Sequence, residues 1–133
     1  MASVFSRIIK GEIPSFKIAE DDNNFAFLDI NPLAKGHTLV IPKKETDYIF
    51  ELSDEEYKDL WNFAKYISKA IEAAVTCKRI GVAVIGLEVP HAHIHLIPLN
   101  KVSDMNFANP KLKISDDELQ AIAERIRAAL PKS

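Results

Sequence analysis

Apolar residues recur along this chain with two different periods, and the period changes from segment to segment. Phe5, Ile8 and Ile9 fall on one helical face before Gly11 and Pro14 interrupt the pattern, which predicts a short helix over residues 3–10. Residues 16–19 and 24–30 predict two strands, joined by the polar run Glu20, Asp21, Asp22 and Asn23 that suits an antiparallel hairpin. On the second strand Phe25, Phe27 and Asp29 share one face, and Ala26, Leu28 and Ile30 share the other. Pro32 and Gly36 then turn the chain into a strand over residues 37–41, with His37, Leu39 and Ile41 on a common face.

Ser53, Asp54, Glu55 and Glu56 form a capping box, and Leu60, Phe63, Ala64, Ile67, Ile71, Ala74 and Val75 follow at helical spacing. One long amphipathic helix covering a sheet face is the expectation. Tyr57 and Trp61 border its apolar stripe, where they extend the core or meet a partner chain. Residues 79–85 are β-branched and predict a strand leading into residues 90–99, where period-two alternation returns. Ser115 to Glu118 repeats the capping pattern and opens a last helix with Leu119, Ile122, Ala123, Ile126 and Leu130 on its apolar face. Hairpin-length connections in place of repeated βαβ units predict an α+β fold, an antiparallel sheet with helices packed on one face.

Composition narrows the class. With 133 residues and 47 % hydrophobic content, the chain fits a single domain, residues 1–133, with a real core. Net charge is −2 and no block of Lys or Arg stands out, which argues against a nucleic-acid partner but leaves a small phosphorylated ligand open. No leader pattern and no membrane-length apolar run is present, so a cytoplasmic location and no membrane partner are expected. The single cysteine, Cys77, has no partner for a disulfide and is assigned no role.

The unusual chemistry lies in residues 90–99, where His91, His93 and His95 alternate with Ala92, Ile94 and Leu96. Extended backbone would put the three imidazoles on one face. Three readings of that row stand. It is catalytic, with one imidazole as nucleophile or base and its neighbours fixing its tautomer; or it grips a metal; or it is a set of unrelated polar-face histidines. At about 3.3 Å per residue, His91 and His95 lie roughly 13 Å apart along a strand, so a metal would use two of them with a ligand such as His37.

His91-Ala92-His93-Ile94-His95-Leu96-Ile97 resembles the signature of the histidine triad (HIT) superfamily. Residues 36–43, 8–14 and 27–32 also resemble family segments, so the likeness runs over roughly residues 3–100 and is similar to the bacterial Hint-like branch of purine nucleoside phosphoramidases and nucleotide hydrolases. The resemblance implies a five-stranded antiparallel sheet, a homodimer in which two protomers share one larger sheet, and a hydrolase or transferase. That enzyme would cleave at the α-phosphorus of a purine nucleotide derivative, a phosphoramidate or a dinucleoside polyphosphate. It further implies that His93 is the nucleophile, that His91 and His37 hold it by hydrogen bonds, and that His95 donates to the phosphate or the departing group. Asp29 would take the ribose hydroxyls, and Phe5, Ile8, Ile13, Phe27, Ile30, Leu39 and Val89 would enclose the base. The scheme needs no cofactor and no metal.

The chain departs from the family pattern in three places. Many bacterial members have Cys-x-x-Cys and a further His forming a structural zinc site; Ser3, Ser6 and Glu45 stand there, so no zinc is expected. Glu88 stands where the family usually has Ser or Thr against phosphate, and at 4 Å and an effective dielectric of 20 its repulsion would be on the order of 4 kcal/mol. The alternative is therefore a nucleotide-binding module with negligible turnover. The Trp-containing tail of one branch is also absent.

Overall fold

The computed structural model describes residues 2–131. In chain order it comprises α1 (Val4–Ile9), β1 (Lys17–Glu20), β2 (Asn24–Leu28), β3 (Thr38–Pro42), α2 (Asp54–Ala74), β4 (Arg79–Ala83), β5 (Ile94–Leu99) and α3 (Asp116–Ala128). Single turns of 3₁₀ helix at Ile49–Glu51 and Val102–Met105 join α2 and follow β5. The five strands form one sheet in the order β1-β2-β3-β5-β4, every neighbouring pair antiparallel. This is the expected α+β sheet.

Register decides what the sheet presents on each side. Phe27 lies opposite Leu39, and Leu39 opposite His95, so these three stand side by side on one face. One residue away along each strand, Ala26, Val40 and Ile94 form the matching row on the other face. That second face is covered by α2 and α3 and holds the main core, including Leu60, Ile67 and Ile71 of α2 and Ile122 and Ile126 of α3, all with no measurable exposure. The two long helices thus pack on one face as expected, while α1 lies on the other, with Phe5 clustered against Phe25, Phe27, Leu39 and Ile41.

The helix starts follow their sequence signals. Ser53 Oγ accepts from the Glu56 amide at 3.1 Å and Glu56 Oε1 accepts from the Ser53 amide at 2.9 Å, closing the capping box of α2. Ser115 caps α3 through the Glu118 amide, with Asp116, Asp117 and Glu118 in the first turn favourably placed toward the helix dipole. Ser3 caps α1, and after that helix Gly11 takes φ of 79°, a conformation that would strain a side-chain-bearing residue. Trp61 and Tyr57 lie half-buried against the core, their rings 6.0 Å apart. Cys77 is half-buried, and desolvation with nearby Glu72 raises its thiol pKa.

Three strands fall short of the pattern-based expectation, the simplest being β4, which stops at Ala83 where the pattern predicts residues 79–85. The strand expected over residues 90–99 begins only at Ile94, because β3 pairs with β5 no further than Val40 opposite Ile94. Beyond that point the ladder gives way to other bonds: the Ala92 amide donates to the Thr46 carbonyl at 2.7 Å, and the His91 ring takes the Pro42 carbonyl. The alternation of β2 likewise ends at Leu28, so Asp29 and Ile30 do not continue opposite faces. Both line the same cavity, and Ile30 is 61 % exposed at its mouth.

Candidate active site

On the α1 side of the sheet a cavity of about 590 Å³ opens beside the histidines, a volume in the range of small-molecule sites. Phe5 and Ile8 reach it from α1, Ile13 from the loop after α1, and Phe27 and Leu39 from the sheet. Val89 closes it from the segment before β5, and Asp29 and Ile30 from the end of β2. All eight residues singled out for nucleotide binding therefore line one space, together with His37, His93 and His95. His91 does not. It is fully buried beneath the floor, behind Phe5.

Four imidazoles are held in two separate pairs, and hydrogen-bond chemistry assigns the tautomer of each neutral ring. The Leu33 amide donates to His37 Nδ1 at 3.0 Å, and since an amide can only donate, neutral His37 carries its proton on Nε2. His37 Nε2 lies 3.0 Å from His95 Nδ1, so the His37 proton points there and His95 carries its own on Nε2. Burial holds both rings neutral: His37 is pushed down to about 3, with His95 and Lys111 adding smaller contributions, and His95 to about 4 with help from His93. The relay therefore runs from a backbone amide through two neutral rings to an N–H at His95.

The second pair works through the main chain. His93 Nδ1 donates to the His91 carbonyl at 2.8 Å, leaving Nε2 of the neutral ring with a free lone pair. The sequence reading has both His91 and His37 holding His93 by hydrogen bonds; the His91 backbone oxygen makes that bond, and His37 bonds His95 in place of His93. The His91 ring instead donates from Nε2 to the Pro42 carbonyl at 2.8 Å and accepts at Nδ1 from the Ser3 hydroxyl at 2.8 Å. Desolvation, opposed by the Pro42 bond and Glu45, lowers its pKa.

Ser3, Ser6 and Glu45, distant in sequence from the triad, converge on this buried ring. Ser3 Oγ accepts from the Ser6 amide at 3.0 Å, the Ser6 hydroxyl donates to Glu45 Oε1 at 2.7 Å, and the Ser3 amide donates to the same oxygen at 2.6 Å. Those bonds, led by the Ser3 amide and then the Ser6 hydroxyl, hold the Glu45 carboxyl down at about 2. The result ties α1 to the histidine segment, and α1 is the wall that carries Phe5 and Ile8.

Asp29 is the acidic group of the cavity floor. Its Oδ1 accepts from the Asn31 amide at 2.8 Å and its Oδ2 lies 3.6 Å from His37 Nε2, with burial raising its pKa against that amide bond and the nearby His93 and Lys111. Asp29, His37 and His95 offer three ligand atoms within 4.8 Å of one another, so these are the residues that could hold a transition ion. An ion there would have to displace the His37 proton that now bridges to His95.

Two side chains of the site were not singled out from the sequence. Phe107 packs edge-on to His95 with ring centres 4.9 Å apart and to His37 at 6.4 Å, and Lys111 lines the cavity beside it. They lie in an aperiodic stretch between β5 and α3, where no periodicity or motif marks them. Glu88 stands exposed on the cavity rim.

A sheet strand that delivers paired, neutral imidazoles into a nucleotide-sized cavity defines a class, and comparison with known proteins gives the same answer. The family model described as HIT domain matches residues 10–102, and the chain belongs to that family. It is 38 % identical over 133 residues to the adenosine 5'-monophosphoramidase hnt1 of Schizosaccharomyces pombe, covering 98 % of this chain and 99 % of that protein. The adenosine 5'-monophosphoramidase of Saccharomyces cerevisiae is 35 % identical, over 99 % of this chain and 85 % of its own. Among solved structures, a Hit-like protein involved in cell-cycle regulation from Bartonella henselae superposes with a TM-score of 0.83 at 33 % identity, covering 96 % of each chain.

Proposed function

We propose that this protein is a nucleotide hydrolase or transferase that cleaves at the α-phosphorus of a purine nucleotide derivative through a nucleotidyl-histidine intermediate. The observation that carries the reading is the pair of complementary imidazoles at one cavity: His93 with a free Nε2 lone pair, and His95 with its proton on Nε2. The names of the two yeast relatives, adenosine 5'-monophosphoramidases, support the same reaction class.

The chemistry follows from the tautomers. His93 Nε2 attacks phosphorus while the His91 carbonyl, on the far side of the ring, stabilises the positive charge that develops there. The bond to the departing group breaks with its electron pair leaving on the departing atom, and neutral His95 hydrogen-bonds that atom through its Nε2 proton, the proton that an amine takes up coming from water. His37, its Nδ1 held by the Leu33 amide, keeps that proton on the cavity side of His95. Water then hydrolyses the phosphorus–nitrogen bond. The base packs among Phe5, Ile8, Ile13, Phe27, Ile30, Leu39 and Val89, and Asp29 accepts from the ribose hydroxyls.

A homodimer fits the same reading. β4 is an open edge of the sheet, with Val82 about half exposed on it, and pairing with a second copy would satisfy that edge and join two sheets into one. Among the described residues no helix is long and apolar enough to cross a membrane.

The deciding experiment is incubation with an adenosine phosphoramidate, following amine release and trapping label on the protein without acid. Label on His93 in the native protein and none in His93→Ala supports the intermediate; nucleotide binding without release supports a binding module, to which Glu88 on the rim points.

A further inference from the structure

The cavity has a direction. Ring centres step from Phe5 to His93 at 5.0 Å, from His93 to His95 at 4.9 Å, and from His95 to Phe107 at 4.9 Å. The apolar pocket lies at the Phe5 end, the reacting imidazoles in the middle, and beyond His95 comes the segment that follows β5. Lys111 Nζ stands 6.0 Å above the Phe107 ring and donates to the carbonyls of Phe107 at 2.5 Å and Asn109 at 3.3 Å. The segment is tied down by the Leu112 amide on the Pro32 carbonyl at 2.9 Å and by Asn109 Nδ2 on the Ser103 carbonyl at 2.8 Å. Lys111 is therefore presented from an anchored stretch.

Charge makes that placement consequential. With the imidazoles of His37 and His95 neutral, the charged side chains lining the cavity are Asp29, Glu88 and Lys111, and Lys111 is the one cation among the described residues there. Asp29 feels its charge, but no carboxylate lies within ion-pair distance of it among the described residues; its hydrogen bonds go to backbone carbonyls, which direct the ammonium without cancelling its charge. Without it, an anionic substrate would enter a cavity bearing two negative charges.

In an in-line displacement the departing group leaves opposite the nucleophile. With His93 attacking and His95 serving the departing atom, that direction leads past His95 toward Phe107 and Lys111. Resting on the nucleotidyl-transfer reading above, we propose that Lys111 is a specificity-determining residue that holds an anionic departing group, such as the second nucleotide of a phosphoanhydride. The phosphorus–oxygen bond to that group breaks, its electron pair stays on the departing oxygen, and Lys111 balances the charge already present on the departing phosphates. A departing amine carries no negative charge and makes no use of it.

The test compares adenosine 5'-phosphoramidate with diadenosine triphosphate in steady-state kinetics on the full chain. Lys111→Gln keeps N–H donors for the two carbonyls and removes the charge, while Lys111→Arg keeps the charge. Lys111→Gln should lower kcat/KM for diadenosine triphosphate by about tenfold, the scale of one charge-assisted hydrogen bond. It should leave the phosphoramidate within about twofold, and Lys111→Arg should restore the loss. Equal losses on both substrates, or none on either, overturn the proposal. If the native protein turns over neither substrate, the transfer reading fails separately, and calorimetry still decides on Lys111. ADP should then bind more tightly than AMP and lose that advantage in Lys111→Gln; an ADP advantage that is absent or survives the substitution rejects the role.

Discussion

The two faces of the sheet are built from the same strands and differ in almost everything else. Under α2 and α3, Ala26, Val40 and Ile94 meet a largely aliphatic layer, with polar contacts such as Asn24 Nδ2 donating to Asp59 of α2 at 2.9 Å confined to its margin. On the other side, one residue away along each strand, Phe27, Leu39 and His95 meet a six-residue helix, a cavity and three more imidazoles. The first face is stabilised mainly by burial, while the second adds to its smaller apolar cluster a set of directional bonds that each fix one atom. A side chain lost from the first should cost stability and spare chemistry, and one lost from the second should do the reverse.

The strongest test of that division is His93→Ala. It removes the attacking lone pair, so turnover should fall by several powers of ten, each about 1.4 kcal/mol of barrier, while nucleotide affinity and melting temperature change little. Single-turnover kinetics and thermal melts on one preparation measure both. An active, merely destabilised variant would erase the distinction between the faces.

Ile67→Ala is the mirror experiment. Ile67 is fully buried in the α2 core layer, and its truncation should cost about 2–5 kcal/mol in urea unfolding with kcat nearly unchanged. A loss of kcat comparable to the loss of stability would mean that the two faces are mechanically coupled.

His37→Phe sharpens the comparison within the chemical face. It deletes the proton donated to His95 Nδ1, so a loss of roughly ten- to a hundredfold in kcat is expected, largest with departing groups that need the His95 hydrogen bond. The same ring gives a pH signature. His37 and His95 are held to about 3 and about 4 by burial, below the unfolded value, so between about pH 6.5 and 4 the unfolded chain binds more protons. Stability is then full above about pH 6.5 and falls as pH drops through that window, with Asp29, whose pKa is raised, opposing the trend at its acid end. Melting temperatures between pH 4 and 7 should slope less steeply in His37→Phe than in the native protein.

The smallest effect should come from Glu45→Gln, which weakens the tie from α1 to the buried His91 ring without touching the cavity. The KM for nucleotide should rise a few fold with kcat retained, since Phe5 and Ile8 would be less well placed. An unchanged KM would show that α1 is held by its apolar contacts alone.

Much of this molecule was legible in its residue pattern because the determinants were local. Ser53 with Glu56 set the start of α2, the spacing of Leu60, Phe63, Ala64, Ile67 and Ile71 set its buried face, and alternation placed Phe25, Phe27, Leu39 and Ile41 together. The triad and the resemblance it carries pointed to the cavity and to the eight residues that line it with the histidines. Other features depended on contacts that no local spacing encodes. Which nitrogen of His93 is free is decided by a main-chain carbonyl, and the relay through His37 begins at the Leu33 amide. His91 turns away from the cavity because the sheet ladder stops at Ile94 and the Pro42 carbonyl needs a donor. Phe107 and Lys111 join the site only because the chain after β5 folds back over the Pro32 turn. Periodicity records which face a residue takes within its own element, whereas hydrogen-bond partners and aperiodic segments are settled only when distant parts of the chain meet.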